Sequence, residues 1–163
     1  MKFAAGAIGT LAVLAGCYLL MWRGWRNRKR RQGGIAEPAK PPARFDPAER
    51  FDGVYVATTT AGDWLDRIAV HGLGVRSDAY LEVAMAGAAF RRTGAPDVFV
   101  PAAQLVAVRT DRAIAGKVAS GLVIVTWRHG DRELDTGFRP RHTDDIARLT
   151  AAIDALIPKE VAQ

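Results

Sequence analysis

One stretch of the chain has the spacing for covalent chemistry. Leu14-Ala15-Gly16-Cys17 places a small residue before a cysteine, the pattern on which a lipoprotein signal is cut and the thiol acylated. Against that reading, the charged region before it is Lys2 alone. The apolar run also continues through Tyr18, Leu19, Leu20, Met21 and Trp22, longer than the roughly 7–15 residues of a signal's hydrophobic region. Cys17 is the single cysteine, so neither an intrachain disulfide nor a cysteine-based metal cluster can form. The remaining reactive side chains do not converge. His71 lies at a Gly-rich strand end, His129 in a hairpin turn and His142 before a helix, none with His, Cys or carboxylate neighbours at metal-ligand spacing. Gly72-Leu73-Gly74 lacks the third glycine and the strand-to-helix setting of a dinucleotide loop. Carboxylates mostly sit beside arginines, as in Thr110-Asp111-Arg112 and Gly130-Asp131-Arg132, where solvated ion pairs are expected. The chain therefore reads as a non-enzyme with no metal and no cofactor.

The segment that would position such a domain is the N-terminus. Phe3 to Trp22 is a run of twenty residues without a charge, and the spacing predicts a single transmembrane helix over 3–22. Arg23, Arg26, Arg28, Lys29, Arg30 and Arg31 follow at once, as a topology determinant and a contact for anionic lipid headgroups, with Trp22 and Trp25 as interfacial aromatics. The positive-inside rule then puts the N-terminus outside and the rest in the cytoplasm, a single-pass protein of the cell membrane with the lipid bilayer as a partner. The formal net charge of +6 does not argue for nucleic acid. Residues 1–44 hold nine basic residues and one acidic, net +8, whereas residues 45–163 hold fourteen and sixteen, net −2. The folded part is slightly acidic, and no nucleic-acid partner is expected. Ala5, Gly9, Ala12 and Gly16 share one helical face, a spacing that admits a helix-mediated dimer and that an Ala-rich segment also produces by chance.

Residues 23–50 combine the basic juxtamembrane segment with a Gly/Pro linker, in which Gly33, Gly34, Pro38, Pro41 and Pro42 predict a poorly ordered spacer. From residue 51 the pattern changes to short β-branched and aromatic runs separated by Gly, Pro and Asp. Strands are predicted at 54–60, 64–73, 78–84, 86–92, 98–100, 105–109, 121–128 and 133–138, with Gly87 a bulge or weak point and His129-Gly130-Asp131 a hairpin turn. At the end, Thr143 can cap a helix carrying Ile146, Leu149, Ile153 and Leu156 on one stripe, and Pro158 stops it, leaving 158–163 as a tail.

This strand order with a C-terminal helix resembles the bacterial pleckstrin-homology-like (PH-like) domains of actinobacterial membrane proteins that carry one N-terminal helix. So does Phe99-Val100-Pro101-Ala102-Ala103-Gln104-Leu105-Val106-Ala107-Val108, an apolar-Pro-x-x-x-apolar-x-x-Val segment between two strands. The resemblance covers 51–157. It implies an α+β, mainly β fold in which about seven antiparallel strands form a partly open barrel capped by the helix, and a role in interaction instead of catalysis. The expected function is a membrane-anchored module that recruits a membrane or cytoplasmic protein. Its alternatives are an accessory subunit of a transport or export system and an exported lipoprotein. The sequence departs from phosphoinositide-binding relatives at the first hairpin, where residues 58–67 hold two Asp and one Arg, so headgroup recognition by that loop is not carried over. Trp64, beside a strand start, reads as core.

Overall fold

The computed structural model describes residues 2–114 and 117–158, apart from the side chains of residues 2–10, 12, 28, 29, 31, 112–114 and 117–120. The chain divides into two compact units, residues 1–34 and 35–163. The first is the helix α1, Lys2–Arg31, rich in the strong helix formers Ala and Leu. It ends at Gly33, whose N–H closes a last turn onto the Arg30 carbonyl at 3.3 Å. Among the described residues no helix is long and apolar enough to cross a membrane, which overturns the expected transmembrane helix at 3–22. From Arg23 onward the helix is basic. The positive-inside argument for orientation loses its premise with the span.

The second unit is mainly β. Its strands are β1 (Glu49–Thr60), β2 (Asp63–Arg67), β3 (Ser77–Ala84), β4 (Gly87–Arg92), β5 (Val98–Pro101), β6 (Leu105–Ile114), β7 (Lys117–His129) and β8 (Arg132–Pro140), followed by the helix α2 (Asp145–Asp154). They form one antiparallel sheet in the order β5-β4-β3-β1-β8-β7-β6, with β2 paired to the end of β1. The expectation of a seven-stranded, partly open barrel is corrected to an open sheet of eight strands. The edge strands β5 and β6 are joined by three residues in a 3₁₀ turn, Ala102–Gln104, so they meet at one corner. Pro101 has no N–H to give a ladder there, and the Ala102 N–H is taken by the Ala86 carbonyl at 3.0 Å. No pairing between β5 and β6 closes the sheet among the described residues.

One face of the sheet carries the core. Phe51, Tyr55, Leu81, Phe90, Val125, Trp127 and Phe138 are fully or almost fully buried, together with Leu149 and Ile153 of α2. Each such side chain contributes roughly 1.5–3 kcal/mol. The two buried polar aromatics are satisfied: Trp127 Nε1–H donates to Thr136 Oγ1 at 2.9 Å, and Tyr55 O–H donates to the Leu73 carbonyl at 3.0 Å. Burial pushes the Tyr55 hydroxyl up to about 12, against the lowering effect of Thr58, Arg92 and Thr136. The amphipathic stripe expected at the C-terminus is present, with Ile146, Leu156 and Ile157 packed at the core's margin. Its N-cap residue is Asp144 instead of Thr143, and no side chain caps it.

Along β7 the opposite face is buried as well. Val123, Val125 and Trp127 face the main core, while Leu122 and Ile124 join Val56 in a second small cluster. Residues 35–48, read from the sequence as part of a spacer, lie along the domain. Ile35 is in the main core, and its carbonyl accepts from His71 Nε2–H at 2.7 Å. The Ala36 carbonyl accepts from His129 Nε2–H at 2.8 Å, and the Phe45 ring meets Phe99 edge-on at 5.7 Å. Two of the three histidines thus serve as structural donors.

Candidate functional site

The second face of the sheet is where polar chemistry gathers. Antiparallel register sets Thr59 of β1 opposite Asp135 of β8, Asp135 opposite Thr126 of β7, and Arg109 of β6 opposite Ile124. Strand alternation turns Thr58 into the core, where its hydroxyl bonds Thr136 at 2.8 Å, and therefore turns Thr59 to the other side. The hairpin formed by β1 and β2 folds over that face, and β2 lies against β6 although β8 and β7 intervene in the sheet. Between hairpin and sheet is a cleft of about 210 Å³, lined by Thr59, Trp64, Arg109, Asp111, Ile124 and Asp135.

An ion pair organises its floor. Arg109 grips Asp135 through both terminal nitrogens, Nη2 to Oδ2 at 2.7 Å and Nη1 to Oδ1 at 3.3 Å. Thr126 Oγ1 accepts from Arg109 Nη1 at 2.8 Å and donates to Asp135 Oδ1 at 2.6 Å; the Gly62 N–H reaches Asp135 Oδ2 at 3.3 Å. Burial would raise the Asp135 carboxyl, but the hydrogen bonds from Arg109 and Thr126, the Arg109 charge and the Gly62 N–H outweigh it and hold it below the usual carboxylate range. Hydrogen bonding to Asp135 raises Arg109 against its own desolvation.

Stability then depends on pH with a definite sign. The folded carboxyl titrates below its unfolded value, so the pair's contribution is fully present above about pH 4 and is lost as pH falls through the folded value. Asp135→Asn is expected to lower unfolding free energy at neutral pH by about 1–2 kcal/mol, a figure held down by the exposure of Arg109. In urea titrations the difference from wild type should shrink steadily as pH is lowered from about 4. A difference constant over that window would show that the pair does not titrate as described.

The rim is apolar. Trp64 and Leu65 at the start of β2 are 45% and 58% exposed, so Trp64 is not the core residue its position beside a strand start suggested. The hairpin places it two residues past the turn at Ala61 and Gly62, beyond the reach of the core. Asp63 Oδ1 holds this end by accepting from the Leu65 N–H at 3.0 Å and the Asp66 N–H at 3.2 Å.

The residues singled out from the sequence are in the other unit. Arg23, Arg26 and Arg30 are exposed on α1, and the Arg26 guanidinium lies 5.1 Å from the Trp22 ring centroid. Trp22 and Trp25 are 47% and 54% exposed. Arg28, Lys29 and Arg31 lie on the same helix, their side chains outside those described, and Cys17 is exposed on it. Sequence reasoning missed the cleft. Its one local signal was Asp135, the single charge in the stretch Leu134 to Phe138 of a strand, which marks either a polar face or a buried pair. Among the described residues no three His, Cys, Asp or Glu are grouped to hold a metal.

Residues 35–154 match the family model described as Bacterial PH domain-like. The chain belongs to the Bacterial PH domain-like family. The matched span runs from the buried Ile35 to the last residue of α2, so the PH-like domain takes in the segment that lies along the sheet before β1. No curated protein matches the chain. Among solved structures, a chain of "The 8S snRNP Assembly Intermediate" is similar at a TM-score of 0.51 and 10% identity, over 78% of this chain and 95% of that one. At that identity the likeness concerns the fold alone.

Proposed function

We propose that this chain is a non-catalytic interaction module whose PH-like domain recruits a protein partner at a membrane surface. The observation that carries this reading is two large apolar side chains of β2 left outside the core, Trp64, which lines the cleft, and Leu65 beside it in the strand. The strongest polar groups of that cleft, Arg109 and Asp135, are locked on each other. Neither is a group with a proton or lone pair poised for acid–base or nucleophilic work.

The basic and aromatic end of α1 is the lipid-facing part: Trp22, Arg23, Trp25, Arg26, Arg28, Lys29, Arg30 and Arg31. Each basic residue near an anionic surface is worth on the order of 1 kcal/mol. Such attraction needs no crossing of the bilayer, and it favours the anionic cytoplasmic face of the cell membrane.

Vesicle sedimentation of the full chain tests the lipid part. The protein is expected to pellet with phosphatidylserine vesicles and to lose that binding when the six basic residues are changed to glutamine. Equal pelleting by neutral vesicles would overturn it. A photo-crosslinking residue at position 65 tests the recruiting part in native membranes. A discrete adduct is expected, and its absence would remove the recruitment reading. A multi-span permease in the adduct would assign the module to a transport assembly.

A further inference from the structure

We infer that the cleft beneath the β1–β2 hairpin binds a cationic side chain, a lysine or arginine of the recruited protein segment. The inference rests on the recruitment reading and adds the chemistry of the contact. Three observations lead to it.

The first is a hydroxyl without a partner. Thr59 is completely buried, lines the cleft, and its Oγ1 makes no hydrogen bond with the described residues. Its neighbours are both satisfied, Thr58 by Tyr55 and Thr136, and Thr60 by Asp66 Oδ2 at 2.7 Å. An unsatisfied buried hydroxyl is a standing cost that a donor entering the cleft relieves.

The second is charge. Among the described lining residues Arg109 sits between the carboxylates of Asp135 and Asp111, the latter 3.8 Å from its Nε. The hairpin adds Asp63 and Asp66 against Arg67. A phosphate or carboxylate ligand would face these carboxylates, and an ammonium or guanidinium meets its complement in them.

The third is the aromatic rim with an apolar floor. The half-exposed Trp64 ring offers a face to a cation, and Ile124 offers a surface for the methylene stem of a long basic side chain. A cleft of about 210 Å³ suits one such head group.

The test uses the full chain and a short peptide with one lysine, followed through the Trp64 indole N–H and the Thr59 and Gly62 amide resonances. Saturable shifts at these three positions are expected for the lysine peptide and for its arginine counterpart. Acetyl-lysine and glutamate peptides are expected to produce none, and spermidine serves as the small-molecule arm. Trp64→Ala and Asp111→Asn should each weaken peptide binding about fivefold. Thr59→Val separates the site from a merely structural role, because removing an unsatisfied hydroxyl should raise the melting temperature by about 3 °C while weakening the peptide. Equal shifts from acetyl-lysine, tighter binding of spermidine than of the peptide, or undiminished binding by Thr59→Val would each overturn the proposal. A position-65 adduct that forms without any lysine-peptide binding sinks the cation site and leaves recruitment standing; peptide binding without an adduct does the reverse.

Discussion

Arg92→Ala is expected to lower unfolding free energy by about 4 kcal/mol, a large part of the 5–15 kcal/mol typical of a domain. The side chain is 7% exposed and acts as a hub for segments far apart in sequence. Its Nε donates to Ser77 Oγ at 3.0 Å, Nη1 to the Pro96 carbonyl at 3.1 Å, and Nη2 to the Gly72 carbonyl at 3.1 Å and the Val75 carbonyl at 2.5 Å. The guanidinium also lies over the Tyr55 ring, 3.9 Å from its centroid. Burial lowers its affinity for a proton, opposed by Tyr55 and Asp97, yet an arginine remains charged. Removing it deprives these part-buried carbonyls of their donor and leaves the segment between β2 and β3 without its tie to the turn after β4. Arg92→Lys should recover under half of the loss, because one ammonium cannot reach the same spread of acceptors in one plane. Urea unfolding at neutral pH measures both. A cost below about 1 kcal/mol for the alanine variant would show that solvent replaces the hub.

Gly87→Ala is the second large effect, about 3 kcal/mol or more. Gly87 opens β4 at a φ of 141°, a conformation that side chains rarely adopt. A Cβ there would collide with the Val100 carbonyl oxygen and meet the Ala102 nitrogen and Pro101 Cα at 2.9 Å, all of them backbone. Relief requires separating β4 from β5, where Gly87 pairs with Pro101 and Ala88 with Val100. Hydrogen exchange should show faster loss of protection in β5 than elsewhere in the sheet. Gly94→Ala is the control: its φ is 75° but nothing lies within 4 Å of the added atom, so only strain of about 1 kcal/mol is expected. Equal costs for the two would mean that the close approach, although present, is readily relaxed.

Much of the architecture was legible because it follows from local pattern. Runs such as Val54 to Thr60 and Gly121 to Arg128 carry β-branched and aromatic residues that suit a strand, and Gly130 supplies a turn at φ 63°. The seven-residue stretch Gly121 to Trp127, apolar but for Thr126, also held a clue that was read too simply. A continuous run marks a strand buried on both faces, and here Leu122 and Ile124 are as buried as Val123 and Val125. That second face holds the cleft.

The amino-acid sequence by itself determined the strand succession, the terminal amphipathic helix, the likeness to PH-like domains and the separation of a basic N-terminal part from a slightly acidic domain. Each depends on residue type and on spacing along the chain. Tertiary structure alone decided that the sheet stays open, that Trp64 faces outward, that Ile35 belongs to the core, and that Arg109 meets Asp135 across 26 residues of sequence. The physical reason is that ladder register and a folded-over hairpin set these proximities. A threonine on a strand looks the same in sequence whether its hydroxyl is hydrogen-bonded, as that of Thr58 is, or has no partner among the described residues, as that of Thr59 has none.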